Sequence, residues 1–449
     1  MTGDGWTYEQ AIRYLNSRTN YERKAPSYGP VTYDLQRMAR LANLLGNPER
    51  RYPVVHVTGT KGKGSVATMV ESCARAAGLS TGLFTSPHLI DLRERIAVDG
   101  LPIGEKEFAV ALAEVSRVVE HIRAVAIPPH PTFFEVMTAT AFVHFARRNV
   151  GLGVFEVGMG GRLDSTNVVL PEVCVLTRIG LDHTKQLGST VGEIATEKAG
   201  IIKTGVPVVT AAQELDAADV IRQTSERMGS RLWRDRSEIQ VTDAVWNTDP
   251  PHWRLTVRTP LAEHRDLELP LLGRHQLENC ALAVAALDIL GERGIVPGGD
   301  DWMRRGLRTL SLPARFQYVV GRPARLLDGA HNPLSIGALM DAIREFLKYR
   351  RLHLVFAMAS DKDVDRSLEI LLPHTDAVYF TLTNSPRATP PEDLAARAAK
   401  FPKVEVHVEP DPNAAYRMAL AHAGPDDLVV ITGSLYLVGD LMGSLGTQA

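Results

Sequence analysis

Residues 53–86 read PVVHVTGTKGKGSVATMVESCARAAGLSTGLFTS and decide the architecture of the chain. The apolar run at 54–57 predicts a buried strand, and later apolar positions recur at helical spacing as far as Cys73. A glycine-rich turn, residues 58–65, lies between them, and a second apolar run closes the unit at 82–85. Strand, glycine-rich turn, helix and strand in this order are the context of a phosphate-binding loop.

The glycine-rich turn contains the groups that bind a nucleotide phosphate. Its glycines let the backbone approach an anion closely, and the start of the helix offers free N–H groups at the positive end of a dipole. Lys63 adds a mobile positive charge, and Ser65 adds a hydroxyl for Mg²⁺. Gly64 separates these two residues, so the loop differs from the Walker A pattern. A plain turn is the alternative, and the flanking strand and helix favour the phosphate site.

Length and composition indicate a globular protein of two domains, with three as the alternative. The 449 residues are 45% hydrophobic and 23% charged, and the net charge of -2 gives no reason to expect nucleic acid or a membrane surface as partner. No apolar run approaches the ~20 residues of a membrane span, and the N-terminus does not resemble a signal peptide. The three cysteines form no CxxC pair, which predicts buried free thiols and a cytoplasmic location.

Polar residues follow two further apolar strands. Glu156 closes the run 152–157 before a glycine turn, and Asp182 and His183 follow the run 173–177. Because the carboxyl ends of parallel strands meet at one edge of a sheet, these side chains are expected near the phosphate loop, where Glu156 and Ser65 would offer oxygen ligands to Mg²⁺. A surface acid and a structural histidine are the alternatives.

A lysine on an apolar helix face, a loop and a phenylalanine each allow more than one role. Lys198 shares the apolar helix face of Ile194 and Ala195, which predicts partial burial of a lysine near the same sheet edge. The loop 23–30 is either a connector or a substrate contact, and Phe134 either packs in the core or lines a pocket.

The second half of the chain changes its pattern twice. Residues 238–271 alternate between apolar and polar positions, which predicts an antiparallel β insertion. The Gly- and Pro-rich stretch 291–301 is a candidate linker, and strands alternate with helices beyond it. We therefore predict an α/β protein with a larger first domain, residues 1–296, and a smaller Rossmann-like domain, residues 297–449, that faces it across a cleft.

Taken together, eight segments resemble the folylpolyglutamate synthase and dihydrofolate synthase family of the Mur ligase superfamily. The resemblance covers essentially the whole chain, and it implies a Mur-ligase-type P-loop ATPase domain with a folate site, followed by a glutamate-ligase domain. The segments are 58–65, 85–88, 156–164, 181–183, 197–200, 273–276, 328–333 and 432–436.

The resemblance implies a role for individual residues. The nucleotide is expected to contact Gly59, Thr60, Lys61, Gly62, Lys63, Gly64, Ser65, Asn279, Arg315 and Asp328, of which Arg315 and Asp328 belong to the second domain. The expected Mg²⁺ ligands are Ser86, Glu156, His183 and Lys198, the last matching a lysine that the family carries as a carbamate. Folate and glutamate are expected near Phe134, Asp164, Ser165, His331 and Ser434. The expected catalytic residues are Lys63, His183, Lys198 and His331.

The implied reaction joins L-glutamate to a carboxylate of dihydropteroate or a reduced folate, with ATP cleaved to ADP and phosphate through an acyl phosphate. ATP, Mg²⁺ and small-molecule substrates are then the partners, without nucleic acid or membrane, and the resemblance suggests a monomer. A P-loop switch or motor and a Mur-type ligase for another carboxylate acceptor are the alternatives. Segments 86–88 and 328–333 favour the folate branch, but the sequence leaves open which folate step is performed.

Overall fold

The computed structural model describes residues 5–22, 29, 32–125, 130–248, 250–383 and 387–445. The chain forms two compact units. The first unit contains Met1–Ala244, Arg254–Leu269 and His275–Leu310, and the second contains Val245–Trp253, Pro270–Arg274 and Ser311–Ala449.

The first unit contains ten of the described α-helices. They are α1 (Tyr8–Asn16), α2 (Leu35–Leu44), α3 (Lys63–Ala76), α4 (Glu105–Val125), α5 (Phe133–Arg147), α6 (Thr184–Leu187), α7 (Val191–Ala199), α8 (Leu215–Arg227), α9 (His275–Glu292) and α10 (Asp301–Arg308). The strands are β1 (Val54–Thr58), β2 (Thr81–Phe84), β3 (Ile96–Val98), β4 (Leu101–Pro102), β5 (Leu152–Glu156), β6 (Val173–Leu176), β7 (Val208–Thr210) and β8 (Leu232–Arg234). Short 3₁₀ helices lie at Pro48–Arg50, Leu92–Arg95 and Ser165–Val168.

An eight-stranded sheet in the order β4-β3-β2-β5-β1-β6-β7-β8 forms the centre of the first unit. Strand β1 is buried along its whole length and pairs in parallel with both β5 and β6. In this register Val57 lies opposite Glu156, and Thr58 lies opposite Leu176. The loops that follow β1, β5 and β6 therefore leave the sheet at the same edge, as the sequence predicts.

Aromatic side chains fill one core of this unit. Phe155 on β5 has its ring centroid 5.0 Å from that of Phe142 and 5.6 Å from that of Phe145. Phe133 is buried, and the partly buried Phe134 packs against Phe84 with ring centroids 5.9 Å apart. Both phenylalanines at the start of α5 thus pack in this core, and burial of the Phe133 ring contributes roughly 2 kcal/mol of transfer free energy. Contact of the partly buried Phe134 with a substrate stays a prediction.

A three-stranded antiparallel sheet interrupts the α/β pattern, in agreement with the predicted insertion. Its order is β11-β10-β9, and its residues are divided between the two units. Its strands are β9 (Gln240–Thr248), β10 (Pro251–Arg258) and β11 (Glu263–Leu269).

The second unit is a smaller α/β fold with a six-stranded sheet in the order β12-β13-β17-β14-β15-β16. All neighbours pair in parallel except β12 with β13. Its strands are β12 (Gln317–Val319), β13 (Ala324–Leu327), β14 (Leu352–Phe356), β15 (Ala377–Phe380), β16 (Glu405–Val408) and β17 (Leu428–Thr432). Its helices are α11 (Pro333–Phe346), α12 (Val364–Leu371), α13 (Pro391–Ala398), α14 (Pro412–His422) and α15 (Leu435–Leu445), with a 3₁₀ turn at Leu372–His374.

The last boundary between the two compact units lies after Leu310, whereas the sequence predicted the domain boundary between residues 296 and 297. The reason is helix α10, which packs on α3 through its buried face, and Ser72 Oγ donates a hydrogen bond of 2.8 Å to Gly306 O. The Gly- and Pro-rich stretch 291–301 is therefore a turn inside the first unit. The division of function at 296/297 stays a prediction.

Gly306→Ala is expected to destabilise the first unit by about 2 kcal/mol because of overpacking. A Cβ at position 306 would lie 2.5 Å from Cys73 Cα and 2.9 Å from Ser72 O, and neither backbone can retreat cheaply. The matched control is Gly337→Ala in α11, where a Cβ would meet nothing within 4 Å and should stabilise by about 0.5–1 kcal/mol. The urea concentrations at the unfolding midpoints of the two variants measure this difference. Equal midpoints for Gly306→Ala and Gly337→Ala would contradict the close packing at Gly306.

The described part of the chain contains no helix long and apolar enough to cross a membrane. Cys73, Cys174 and Cys280 are buried free thiols, as predicted. The cytoplasmic location stays a prediction.

Candidate functional site

The glycine-rich turn links β1 to α3 in a conformation that two positions can adopt only as glycine. Gly62 has φ +91°, and a Cβ there would lie 2.4 Å from Asn279 Oδ1. Gly59 lies against the strand end of β6, where a Cβ would lie 1.8 Å from Thr177 Oγ1. Helix α3 begins inside this segment, at Lys63 directly after Gly62, so its unpaired N–H groups face the loop.

The segment after β6 holds the loop in place. Arg178 O accepts hydrogen bonds from the backbone N–H groups of Thr60 and Lys61, at 2.9 and 3.3 Å. Thr177 Oγ1 donates to Lys61 O at 2.7 Å, and Thr60 Oγ1 donates to Gly180 O at 3.0 Å. These bonds fix the loop before any ligand binds, which limits the entropy lost when one does.

Two lysine ammonium groups converge on one backbone carbonyl. Lys63 Nζ donates to Gly59 O at 3.1 Å, and the Nζ of Lys198, a residue of α7, donates to the same oxygen at 2.8 Å. Lys61 instead extends outward and reaches Asp182 Oδ2 at 3.4 Å. The positive charge of Lys63 at a helix N-terminus produces a field that attracts a polyanion.

Lys198 is almost completely buried, with 4% of its surface exposed. Burial, together with the positive charge of Lys63, lowers the pKa of Lys198 to about 7. A substantial fraction of its amine is therefore neutral at neutral pH and able to act as a nucleophile.

A carboxylate and a histidine complete this edge of the sheet. Glu156 is buried at the end of β5, and its Oε2 accepts a hydrogen bond from the Ser86 N–H at 3.2 Å. A Cβ at Gly64 would lie 3.5 Å from the same oxygen, so the carboxylate lies beside the first turn of α3. Partial burial and the charges of Lys63 and Lys198 lower the pKa of His183, although Asp182 opposes this.

One cleft brings several predicted residues together. Its lining includes Gly59, Thr60, Lys63, His183 and Lys198. The lining does not include Ser86, Phe134, Glu156, Asp164 or Ser165.

Asp164 and Ser165 are used within the protein itself. The Oδ2 of the buried Asp164 accepts from Met159 N at 3.0 Å, and its Oδ1 accepts from the N–H and hydroxyl of Thr166. Ser165 Oγ shares a hydrogen bond of 2.8 Å with Thr138 Oγ1. These bonds shape the glycine turn after β5, and substrate contact by the two residues stays a prediction.

A buried arginine holds the segment after β2. Arg95 forms two hydrogen bonds with the carboxylate of Glu22, at 2.6 and 2.8 Å, and its Nε donates to His88 Nδ1 at 2.9 Å. Sequence reasoning missed Arg95 and Glu22 because their pairing spans 73 residues. The predicted contact of loop 23–30 lies outside the described residues, apart from Gly29.

Thr177 and Arg178 were also missed. Arg178 holds the loop by hydrogen bonds to its backbone carbonyl, and a pattern of side chains in the sequence cannot reveal such bonds. The hydroxyl of Thr177 at the end of an apolar strand was a readable signal, because such positions often contact a neighbouring loop.

In the second unit, Asp328 closes two turns at the end of β13. Its carboxylate accepts from Phe316 N and Ala330 N, both at 2.8 Å, and burial raises its pKa. The exposed Arg315 lies between Ala314 and Phe316, whose φ values are +56° and +50°. Asp328 therefore holds the strained segment that presents Arg315.

The two remaining predicted residues follow β13 and β17. His331 Nδ1 lies 2.8 Å from Gly329 O, and the Oγ of the buried Ser434 accepts from Tyr436 N at 3.2 Å. Both lie at the carboxyl edge of the second sheet, where open α/β sheets bind ligands.

The sequence matches two family descriptions, "Mur ligase middle domain" over residues 57–287 and "Mur ligase, glutamate ligase domain" over residues 314–435. A dihydrofolate synthase/folylpolyglutamate synthase of Bacillus subtilis is 34% identical, over 97% of this chain and 98% of its own. The folylpolyglutamate synthase of Lacticaseibacillus casei is 34% identical, over 96% of both chains.

Two solved structures align with this chain over almost its whole length. Mycobacterium tuberculosis folylpolyglutamate synthase complexed with ADP has a TM-score of 0.83, with 32% identity over 98% of each chain. Escherichia coli FolC in complex with DHPP and ADP has a TM-score of 0.83, with 28% identity over 100% of each chain.

Proposed function

Because the chain belongs to the folylpolyglutamate synthase and dihydrofolate synthase family of Mur ligases, we propose that it joins L-glutamate to a folate carboxylate with cleavage of ATP to ADP and phosphate. The observation that carries this proposal is the ammonium group of Lys63 over Gly59 O at a glycine-rich helix N-terminus. Such a site neutralises phosphate charge and suits phosphoryl transfer.

The proposed chemistry has two steps. A carboxylate is a poor electrophile, so its oxygen first attacks the γ-phosphorus of ATP, which forms an acyl phosphate and releases ADP. The glutamate amine then attacks the acyl carbon, and the tetrahedral intermediate expels phosphate while the nitrogen loses a proton. The protein contributes by positioning and by neutralising charge, with Lys63 and the loop N–H groups next to the transferred group.

We propose that Mg²⁺ is held by Ser86, Glu156, His183 and carbamylated Lys198. The hydroxyl of Ser86 and the carboxylate of Glu156 are the hard oxygen ligands that this ion prefers. An ammonium group does not fit beside a cation, whereas a carbamate on Lys198 would offer acidic oxygens. When bound, the ion supplies charge neutralisation on the phosphate oxygens.

The remaining site assignments are proposed on the family resemblance. Asn279, Arg315 and Asp328 are assigned to the nucleotide, with Gly59, Thr60, Lys61, Gly62, Gly64 and Ser65. Phe134, Asp164 and Ser165 are assigned to the folate, and His331 and Ser434 to the incoming glutamate. We also propose that the enzyme works as a monomer, which light scattering of the purified protein can check.

The proposal is tested by ADP release with ATP, Mg²⁺ and L-glutamate, adding dihydropteroate or tetrahydrofolate in turn. Release with both acceptors would identify a bifunctional enzyme, and release with tetrahydrofolate alone would identify a polyglutamate synthase. If neither acceptor supports ADP release by protein that still binds ADP, the folate assignment is overturned and another carboxylate acceptor is favoured.

Gly62→Ala is expected to weaken ADP binding about tenfold or more, because the left-handed backbone at this position strains any other residue. The new Cβ would also meet Asn279 Oδ1, whose amide is buried and hydrogen-bonded to Gln276. Gly180→Ala is the matched control, since its Cβ would meet nothing within 4 Å. Calorimetric titration with ADP and Mg²⁺ compares the two, and equal affinities would contradict the assigned loop geometry.

A further inference from the structure

Three ligating side chains converge at the outer edge of the second sheet. Glu405 and His407 lie on the same face of the edge strand β16, with Glu405 Oε1 3.0 Å from His407 Nε2. His422 ends α14, and its ring centroid is 5.1 Å from that of His407. One potential ligand atom from each of the three residues lies within 4.8 Å of the others. We refer to these three residues as the edge cluster.

A buried row of side chains supports the edge cluster from behind. Tyr379 on β15 lies opposite His407 in the strand register, and the two rings stack with centroids 4.8 Å apart and planes 8° apart. The Tyr379 hydroxyl lies 3.1 Å from His422 Nδ1 and 3.1 Å from Nδ1 of His353, a buried residue of β14. His353 Nε2 in turn lies 3.4 Å from Oδ2 of the buried Asp427.

The row engages only one ring nitrogen of His422. Its Nδ1 faces the Tyr379 hydroxyl, so Nε2 is the ring nitrogen left for a metal ion. The second ring nitrogen of a metal-ligating histidine commonly contacts such an outer-shell partner.

We propose that the edge cluster is a binding site for a zinc-class divalent ion, held by His407, His422 and Glu405. Two imidazole nitrogens and one carboxylate oxygen are a donor set that Zn²⁺ uses, with a fourth position left to water at this exposed edge. Mg²⁺ prefers an all-oxygen set and is not expected here.

The surroundings of Glu405 fit the same assignment. Its second oxygen, Oε2, lies 3.6 Å from a terminal nitrogen of Arg351, which leaves Oε1 beside His407. Ligating carboxylates are commonly oriented by such a partner. A bound ion would join the edge strand β16 to the end of α14, so it would act as a clamp on the second unit, independently of ligation chemistry.

The test is a calorimetric titration of Zn²⁺ into the full chain after chelator treatment, in excess Mg²⁺ to occupy oxygen-rich sites. Wild-type protein is expected to bind one more equivalent of Zn²⁺ than His407→Ala and His422→Ala. His374→Ala removes an exposed histidine of the same unit and is expected to bind as the wild type does. Tyr379→Phe is expected to weaken the zinc affinity about tenfold, as loss of an outer-shell partner does.

Co²⁺ substitution gives a second readout, because a low-coordinate nitrogen- and oxygen-ligated Co²⁺ absorbs visible light and the signal should vanish in His422→Ala. Thermal unfolding with chelator present establishes that each variant is folded. Should a histidine variant unfold, Glu405→Gln at the exposed strand position replaces it and should weaken the zinc affinity at least about tenfold. Equal zinc stoichiometry and affinity in the wild type and the folded variants would overturn the proposal.

Discussion

Lys63→Ala is expected to lower glutamate-dependent ADP release about a thousandfold, the range found when a charge-stabilising group of a transferred phosphoryl is removed. Lys63 is the first residue of α3, and its ammonium group curls back over the loop to Gly59 O at 3.1 Å and Thr60 O at 3.4 Å. A γ-phosphate bound at the helix N-terminus would meet this charge directly. Steady-state ADP release with saturating substrates measures the effect.

Two lysines serve as comparisons for this substitution. Lys61→Ala removes an exposed side chain that reaches Asp182 and should reduce the rate far less. Lys106→Ala, on the exposed face of α4, should leave the rate unchanged. A Lys63→Ala enzyme with near-normal turnover would remove the assigned role, whereas loss of ADP release in Lys106→Ala would point to a general folding defect.

Lys198→Ala is expected to reduce turnover by a similar factor, about a thousandfold, because a carbamate at this position would supply oxygen ligands for Mg²⁺. The carbamate forms when the neutral amine attacks CO₂, which makes a nitrogen–carbon bond and releases one proton. Since burial and Lys63 lower the pKa of Lys198 to about 7, the reactive neutral form is abundant at neutral pH. An ordinary lysine would be almost fully protonated there.

The pKa of Lys198 also determines how the rate of carbamate formation should change with pH. Below about pH 7 the ammonium form of Lys198 prevails and cannot add to CO₂, so reactivation of CO₂-depleted enzyme at a fixed concentration of dissolved CO₂ should speed up as the pH rises through 7. A carbamate signal in the ¹³C NMR spectrum with labelled bicarbonate should be present in the wild type and absent in Lys198→Ala. Lys185→Ala, an exposed lysine of α6, is the control.

Two results would contradict this account of Lys198. Full activity of rigorously CO₂-depleted enzyme across the pH range would exclude the carbamate. Near-normal turnover of Lys198→Ala would exclude the residue from the site altogether. If Lys198→Ala is inactive but CO₂ has no effect, the free amine itself is required, and its hydrogen bond to Gly59 O becomes the function to examine.

The sequence by itself determined the features that depend on local order. A strand, a glycine turn and a helix are specified by neighbouring residues, so the loop 58–65 and its place in an α/β sheet could be read directly. The same holds for Glu156, because the carboxyl end of a parallel strand always faces the ligand edge.

Only the tertiary structure decided which distant groups meet. Lys198 contacts the carbonyl of Gly59, 139 residues earlier in the chain, and Asn279 packs against Gly62. Helix α10 joins the first unit because the face of Gly306 fits the backbone of α3, although the preceding Gly/Pro composition is typical of a linker. Such contacts arise from the packing of helices on sheets, and that geometry leaves no periodic trace in the order of the residues.

The edge cluster is a further set of contacts that the order of the residues does not reveal. Its members and their supporting row come from three strands, a helix end and a turn, with no metal-binding spacing in the sequence. Parallel strand pairing places Tyr379 opposite His407, His353 lies on β14 two residues before the partner of Tyr379, and the docking of α14 adds His422. Local sequence determines each element, whereas the alignment of side chains across elements exists only once the sheet has formed.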